Sequence, residues 1–170
     1  MIKIGIIASN GKSTDSKCFN KCFSIYCDKV GNDAFNSGGA YNKCFSKFAG
    51  RPIRLFFLEE WGKDELNTEL IKATIESETL TVKPLYQEEI NMIIQGKMEA
   101  QTNHYPNFGK EIDKGILRRF GMEDYGSEFV DKEEEERCCD EEHIYLKEDI
   151  EGLFDDDNYK CAYFNMFLPY

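Results

Sequence analysis

Apolar positions along the chain change period several times, and each change marks an element. Ile2 to Ala8 is a continuous apolar, β-branched run that stops at Ser9-Asn10-Gly11, which predicts a buried first strand and a turn. Asp15 then caps a helix over 16–23, and Phe23 to Val30 continues as strand. Gly31-Asn32-Asp33 and Ser37-Gly38-Gly39 bracket a loop, after which Ala40 to Ala49 has helical spacing and stops at Gly50. Pro52 opens the strongest strand, "IRLFFLEEW". Between Lys63 and Glu78 the apolar positions follow a helical period, with Asp64 and Glu65 near the start, where the macrodipole favours them.

A short strand, Thr79 to Lys83, breaks at Pro84, and Ile90, Ile93, Ile94 and Met98 predict the inner face of a helix over Leu85 to Met98. "QTNHYPNFG" (101–109) reads as loop, 110–120 as a shorter helix, and the closing "YKCAYFNMFLPY" as an aromatic-rich strand. Strands alternate with helices early on. This predicts a single domain over 1–170 of α/β or α+β class, with a mixed, partly parallel sheet flanked by helices. The α/β core would occupy 1–100 and an acidic helix and loop region 101–170.

A length of 170 residues suits one buried core, and 41% hydrophobic with 14% aromatic residues place the net charge of -11 on the surface of a folded chain. The opening apolar run is too short for a signal-peptide core, and no run approaches the length that spans a bilayer, so a cytoplasmic protein is expected. Charge changes the picture most. Residues 1–58 hold nine Lys/Arg against three Asp/Glu, while residues 111–160 hold seven against nineteen. "DKEEEERCCDEEH" (131–143) and "EDIEGLFDDD" (148–157) are dense enough in carboxylates to repel nucleic acid and anionic membrane.

Seven cysteines, an odd number in a chain this long, read as reduced thiols. The pentapeptide Asn20-Lys21-Cys22-Phe23-Ser24 returns as Asn42-Lys43-Cys44-Phe45-Ser46, and its helical spacing predicts that each copy buries a cysteine and an aromatic ring. The metal alternative draws on Cys18, Cys22, Cys27 and Cys44, although zinc prefers paired Cys-x2-4-Cys knuckles. Cys138-Cys139 with His143 sits among carboxylates that oppose thiolate formation, and His104 reads as a solvated loop residue. No P-loop, Gly-x-Gly-x-x-Gly, Ser-x-x-Lys or His-Glu-x-x-His pattern occurs, which favours a non-enzymatic role with no cofactor.

Two partial resemblances exist. "GKSTDSKCFNKCFSIY" resembles the opening of the dinitrogenase iron-molybdenum cofactor-binding family, with Cys18-Phe19 where that family has its usual histidine. "KIGIIASNG" with "SGGAYNKCFSKFAGRPIRLFFLEEWGK" resembles the SLOG-type Rossmann-like domains. That likeness implies a nucleotide or small-ligand site at Ser9, Asn10, Ser37, Gly38 and Gly39. The two assign the same segment differently.

The leading expectation is therefore an acidic protein-interaction module with a basic partner protein, up to an inhibitor that mimics nucleic acid as viruses use. Its contacts would be Glu133, Glu134, Glu135, Glu136, Asp140, Glu141, Glu142, Asp155, Asp156 and Asp157. The alternatives are the Rossmann-like ligand domain and the cysteine-based metal protein.

Overall fold

The computed structural model describes residues 1–5, 9–36, 41–109, 114–135, 144–146 and 148–166. In chain order they form β1 (Ile2–Ile4), α1 (Lys12–Phe23), β2 (Cys27–Val30), α2 (Tyr41–Ser46), β3 (Leu55–Leu58) and α3 (Thr68–Ile75). Next come β4 (Thr79–Val82), β5 (Ile90–Ile93), β6 (Lys97–Thr102), α4 (Lys114–Arg119), β7 (Met122–Asp124) and β8 (Glu128–Val130). The last are α5 (Lys132–Glu135), β9 (Ile144–Leu146), α6 (Ile150–Leu153) and α7 (Asp157–Asn165).

Five strands make one sheet in the order β2-β3-β6-β1-β7, every neighbouring pair parallel. Parallel strands need crossovers, and α1, α2, α3 and α4 lie in those connections. The mixed α/β class is thus as expected from sequence, and β6 and β7 extend the sheet well past residue 100.

Side-chain alternation gives the sheet two different faces. On one, Ile2, Ile4, Phe56, Leu58, Met98 and Ala100 join the main apolar core with Phe35, Phe45 and Phe48. Phe45 packs edge-on against Phe56 at 5.9 Å and against Phe35 at 5.4 Å between ring centroids. On the other, facing α1, the same strands present Lys3, Phe57, Glu99 and Gln101. Lys3 is ion-paired with Asp15 of α1 and with Glu99 at 2.8 Å, and Gln101 donates to Ser16 and to the Lys12 carbonyl. A buried polar layer under α1 is stable because its members satisfy one another.

Two elements differ in kind from the sequence reading. Residues 85–98 are not a helix: β5 pairs antiparallel with β4, and Lys97 starts the sheet strand β6. The i, i+3, i+4 spacing of Ile90, Ile93 and Ile94 imitates a helix, but Pro84 turns the chain and Gly96 breaks it. At Gly96 a Cβ would lie 3.2 Å from the Phe56 ring and 3.3 Å from the Arg54 carbonyl carbon, so a larger residue would have to push these neighbours back by a few tenths of an ångström. The C-terminal aromatic segment is helical, not a strand. Asp156 accepts from the Asn158 amide at its start, and Phe19 and Phe23 of α1 receive Tyr163 and Phe164 at 5.4 and 5.6 Å. Here packing overrides the β-propensity of the aromatics.

Candidate functional site

Helix α1 begins at Lys12, not at residue 16, and its N-cap is Gly11 with φ 81°, so Asp15 lies inside the first turn rather than capping it. The chain from β1 to this point passes Gly5, where a Cβ would fall 1.8 Å from the Asn10 side-chain nitrogen and 2.5 Å from the Lys12 ammonium. The missing side chain at Gly5 thus leaves the room that the Asn10 and Lys12 side chains occupy. Lys12 is only 6% exposed, and its ammonium donates to the Gly5 carbonyl (3.1 Å), Asn10 Oδ1 (2.7 Å) and Asn103 Oδ1 (3.1 Å). Burial lowers its pKa from the ordinary lysine value.

A cavity of about 700 Å³ opens beside this lysine. Its walls come from the C-terminal ends of four sheet strands and the loops that leave them: Lys12 and Ser13 after β1, Lys29 to Asn32 at β2, Glu59 and Glu60 after β3, and Gln101 to Asn103 at β6. That edge, next to the strand where sheet order reverses, is where open parallel sheets place ligands. Glu59 is ion-paired with Lys29 at 2.5 Å. Asn32, Glu60 and Asn103 also wall an adjoining cavity of about 470 Å³ that includes His104, whose Nε2 is buried without a hydrogen-bond partner. On the opposite flank of the loop, Ser9, Asn10, Gly11 and Thr14 border a third cavity of about 390 Å³, walled by Tyr125, Phe129, Phe154 and Tyr163.

No protein-family model matches this chain, and no curated protein matches it either. Among solved structures it is similar to the "A form apo structure of NrS-1 C terminal region-CTR", with a TM-score of 0.62 and 16% identity. The match covers 99% of this chain and 36% of that one, so the chain spans about a third of that protein's length. A likeness at this identity is one of fold.

The residues expected to matter are scattered. Ser9 and Asn10 are in the loop at the lysine, while Ser37, Gly38 and Gly39 lie outside the described residues, as do Glu136, Asp140, Glu141 and Glu142. Glu133, Glu134 and Glu135 belong to α5, where the side chain of Glu133 is exposed. Asp155 pairs with Lys21 at 2.7 Å, and its neighbour in the segment, Glu151, pairs with Lys17 at 2.8 Å. Part of the acidic C-terminal charge is thus met by the basic helix α1. Asp156 caps α7, and Asp157 pairs with Lys160 at 2.9 Å.

Cys18, Cys27 and Cys44 are buried and Cys22 is half-buried. Burial raises the Cys18 and Cys44 thiol pKa values and pushes Cys27 up to about 11. Among the described residues, no group of three or more His, Cys, Asp or Glu side chains could hold a metal ion, and no helix is long and apolar enough to cross a membrane. Cys138, Cys139 and His143 lie outside the described residues.

The sequence reading missed Lys12, Ser13, Glu59, Glu60 and Asn103. The full phosphate-loop pattern, Gly-x4-Gly-Lys-Ser/Thr, requires glycine at position 6, where this chain has Ile6, with Gly5 one residue earlier. Its second half, Gly11-Lys12-Ser13 directly after an apolar strand, is present, and the strand "LFFL" ending in Glu59-Glu60 is the companion signal.

Proposed function

We propose that this chain is a phosphate-loop nucleotide-binding domain that holds a nucleoside triphosphate with a divalent metal and hydrolyses its terminal phosphate. The observation that carries the reading is the buried Lys12 ammonium at the start of α1, gripped by three oxygens at the mouth of a polar cavity. A cation in that position, beside the N-terminus of a twelve-residue helix, suits an anion with many oxygens. Phosphate oxygens would replace the Asn10 and Asn103 contacts and restore the hydration that Lys12 lacks.

The donor set fits magnesium, which keeps several waters and takes one or two carboxylates plus substrate phosphates rather than a full protein cage. Ser13 and Glu59, which line the same cavity, would supply the metal-binding hydroxyl and acid. When bound, such an ion neutralises charge on the phosphates. The chain's own groups do the rest: Lys12 and the loop amides hold the phosphates, Asn103 contacts the terminal one, and Glu60 orients water and accepts its proton. The aromatic-walled cavity at Phe129 and Tyr163 offers a surface for a flat base, on the other flank of the same loop.

A fluorescent triphosphate analogue titrated into the wild type and Lys12→Met tests the reading, alongside phosphate release from ATP and GTP. Charge-assisted hydrogen bonds of the usual strength predict that K12M binds about 10- to 100-fold more weakly. Equal binding by the two proteins, or no binding by the wild type, sinks the proposal.

A further inference from the structure

Lys29 is ion-paired with Glu59. Strands β2 and β3 run side by side with Lys29 opposite Phe57 and Val30 opposite Leu58, so Lys29 and Glu59 both reach the strand ends where the 700 Å³ cavity opens. Lys29 has another acid next to it, Asp28, but that carboxylate is already engaged by Lys47 at 3.1 Å and by Arg51. Burial alone would raise the Asp28 pKa, yet its hydrogen bonds from Arg51 and Lys47 override this and hold it below the ordinary value. Lys47 also donates to the Lys29 backbone carbonyl, which fixes the strand end. The Lys29 ammonium is thereby directed to Glu59, at 2.5 Å and with both side chains near half exposed.

We propose that Lys29 is a resident counter-ion for Glu59, a positioning residue that sets how much divalent metal the site needs. The proposal rests on the phosphate-loop reading above, in which Glu59 is the metal's acid. The Lys29 ammonium sits on one Glu59 oxygen, Oε1, and a divalent cation arriving at the same carboxylate meets its positive charge, so metal entry is favoured when Lys29 moves off. Because the pair is solvent-accessible it is weak enough to be displaced. It holds Glu59 in place while the site is empty and raises the metal concentration at which it fills. The released ammonium stays beside a cavity that also carries Lys12, where it faces the phosphates.

The test is a magnesium titration of fluorescent, non-hydrolysable ATP-analogue binding, with wild type, Lys29→Met, Lys29→Arg and Lys12→Met side by side. For K29M the half-saturating magnesium concentration should fall about two- to five-fold, the size an exposed ion pair allows. K29R should stay at the wild-type value, and the gap between K29M and wild type should narrow in about 0.5 M salt. Coincident curves for K29M and wild type, when K12M weakens binding about 10- to 100-fold, overturn the Lys29 proposal alone. A K29M that needs more magnesium, or loses metal-free nucleotide binding, overturns it too, since Lys29 would then be a phosphate ligand. Absence of nucleotide binding by the wild type at every metal concentration brings down the phosphate-loop reading itself.

Discussion

Replacing Lys3 with methionine tests the polar layer that seats α1 and the residues at its start. Lys3 is 2% exposed, and its two acids differ: Glu99 is 6% exposed and Asp15 is 31% exposed. Methionine fills much of the space but leaves two carboxylates without their cation. Breaking a buried pair in this way costs about 3–5 kcal/mol, and the exposure of Asp15 puts the expected loss near the lower end, about 3 kcal/mol. For a chain of this size that is a fall in Tm of about 6–12 °C. A second substitution separates this cause from simple misfit. Burial alone would lower the pKa of Lys3, but hydrogen bonds to Asp15 and Glu99 reverse this and raise it above the ordinary value of 10.5. A raised lysine pKa stabilises at all pH below its unfolded value and is lost only as pH rises through the folded one, so the Lys3 contribution is flat between about pH 5 and 8 and melts near neutral pH read it in full. In K3M the Glu99 carboxylate is buried without its cation, and Glu99→Gln in the same chain removes that charge. Thermal melts should show K3M well below the wild type and the K3M/E99Q double variant recovering part of the loss. A loss under about 2 °C for K3M, or a double variant less stable than K3M, refutes the reasoning.

Contacts at the loop and at the C-terminal segment give two further outcomes. Gly5→Ala places a methyl group 1.8 Å from the Asn10 amide nitrogen, so nucleotide binding should drop by at least about tenfold while α3 and the hairpin, far from the loop, keep their hydrogen-exchange protection; unchanged affinity contradicts the close approach at Gly5. Reversing Lys17 and Lys21 to glutamate removes the partners of Glu151 and Asp155 and should loosen α6 and α7, uncovering Cys22, whose thiol contacts the Lys160 carbonyl at 3.9 Å. Maleimide labelling at pH 8 should then report the exposed Cys161 before Cys22 in both proteins and Cys22 several-fold faster in the variant, with equal Cys22 rates counting against an electrostatic clasp.

How much of the molecule is legible in the chain depends on where each residue type draws its meaning. Strand β3 can be read because Pro52 and four consecutive apolar residues need no tertiary context, and α3 because Ile71 and Thr74 repeat on one face, although it starts at Thr68 behind the Asn67 cap and not at Asp64 and Glu65. The hairpin escapes a sequence reading because Ile90, Ile93 and Ile94 satisfy a helical period as well as a strand end, and only the pairing of Thr81 with Asn91 across the turn decides between them. Helix α7 escapes it for the opposite reason: Tyr163 and Phe164 look like strand residues until α1 supplies the rings they pack on.

The repeated pentapeptide makes the same point within one sequence. In its second copy Cys44 and Phe45 are buried in the core as expected, whereas in the first Cys22 and Phe23 are only half-buried against α7, so identical letters acquire their environments from the elements around them. Lys12 is the sharpest instance. A lysine is ordinarily a solvated residue, and nothing in a count of charges distinguishes it from Lys17 or Lys21. What sets it apart is that Gly5 leaves room for its ammonium beside Asn10, and that parallel order brings the ends of β1, β3 and β6 to one edge, so Asn103 and the Glu59-Glu60 pair arrive from 47 or more residues away. The surroundings of Lys12 belong to the sheet edge, and a motif search that demands glycine at position 6 passes over Gly5, whose carbonyl accepts from that lysine.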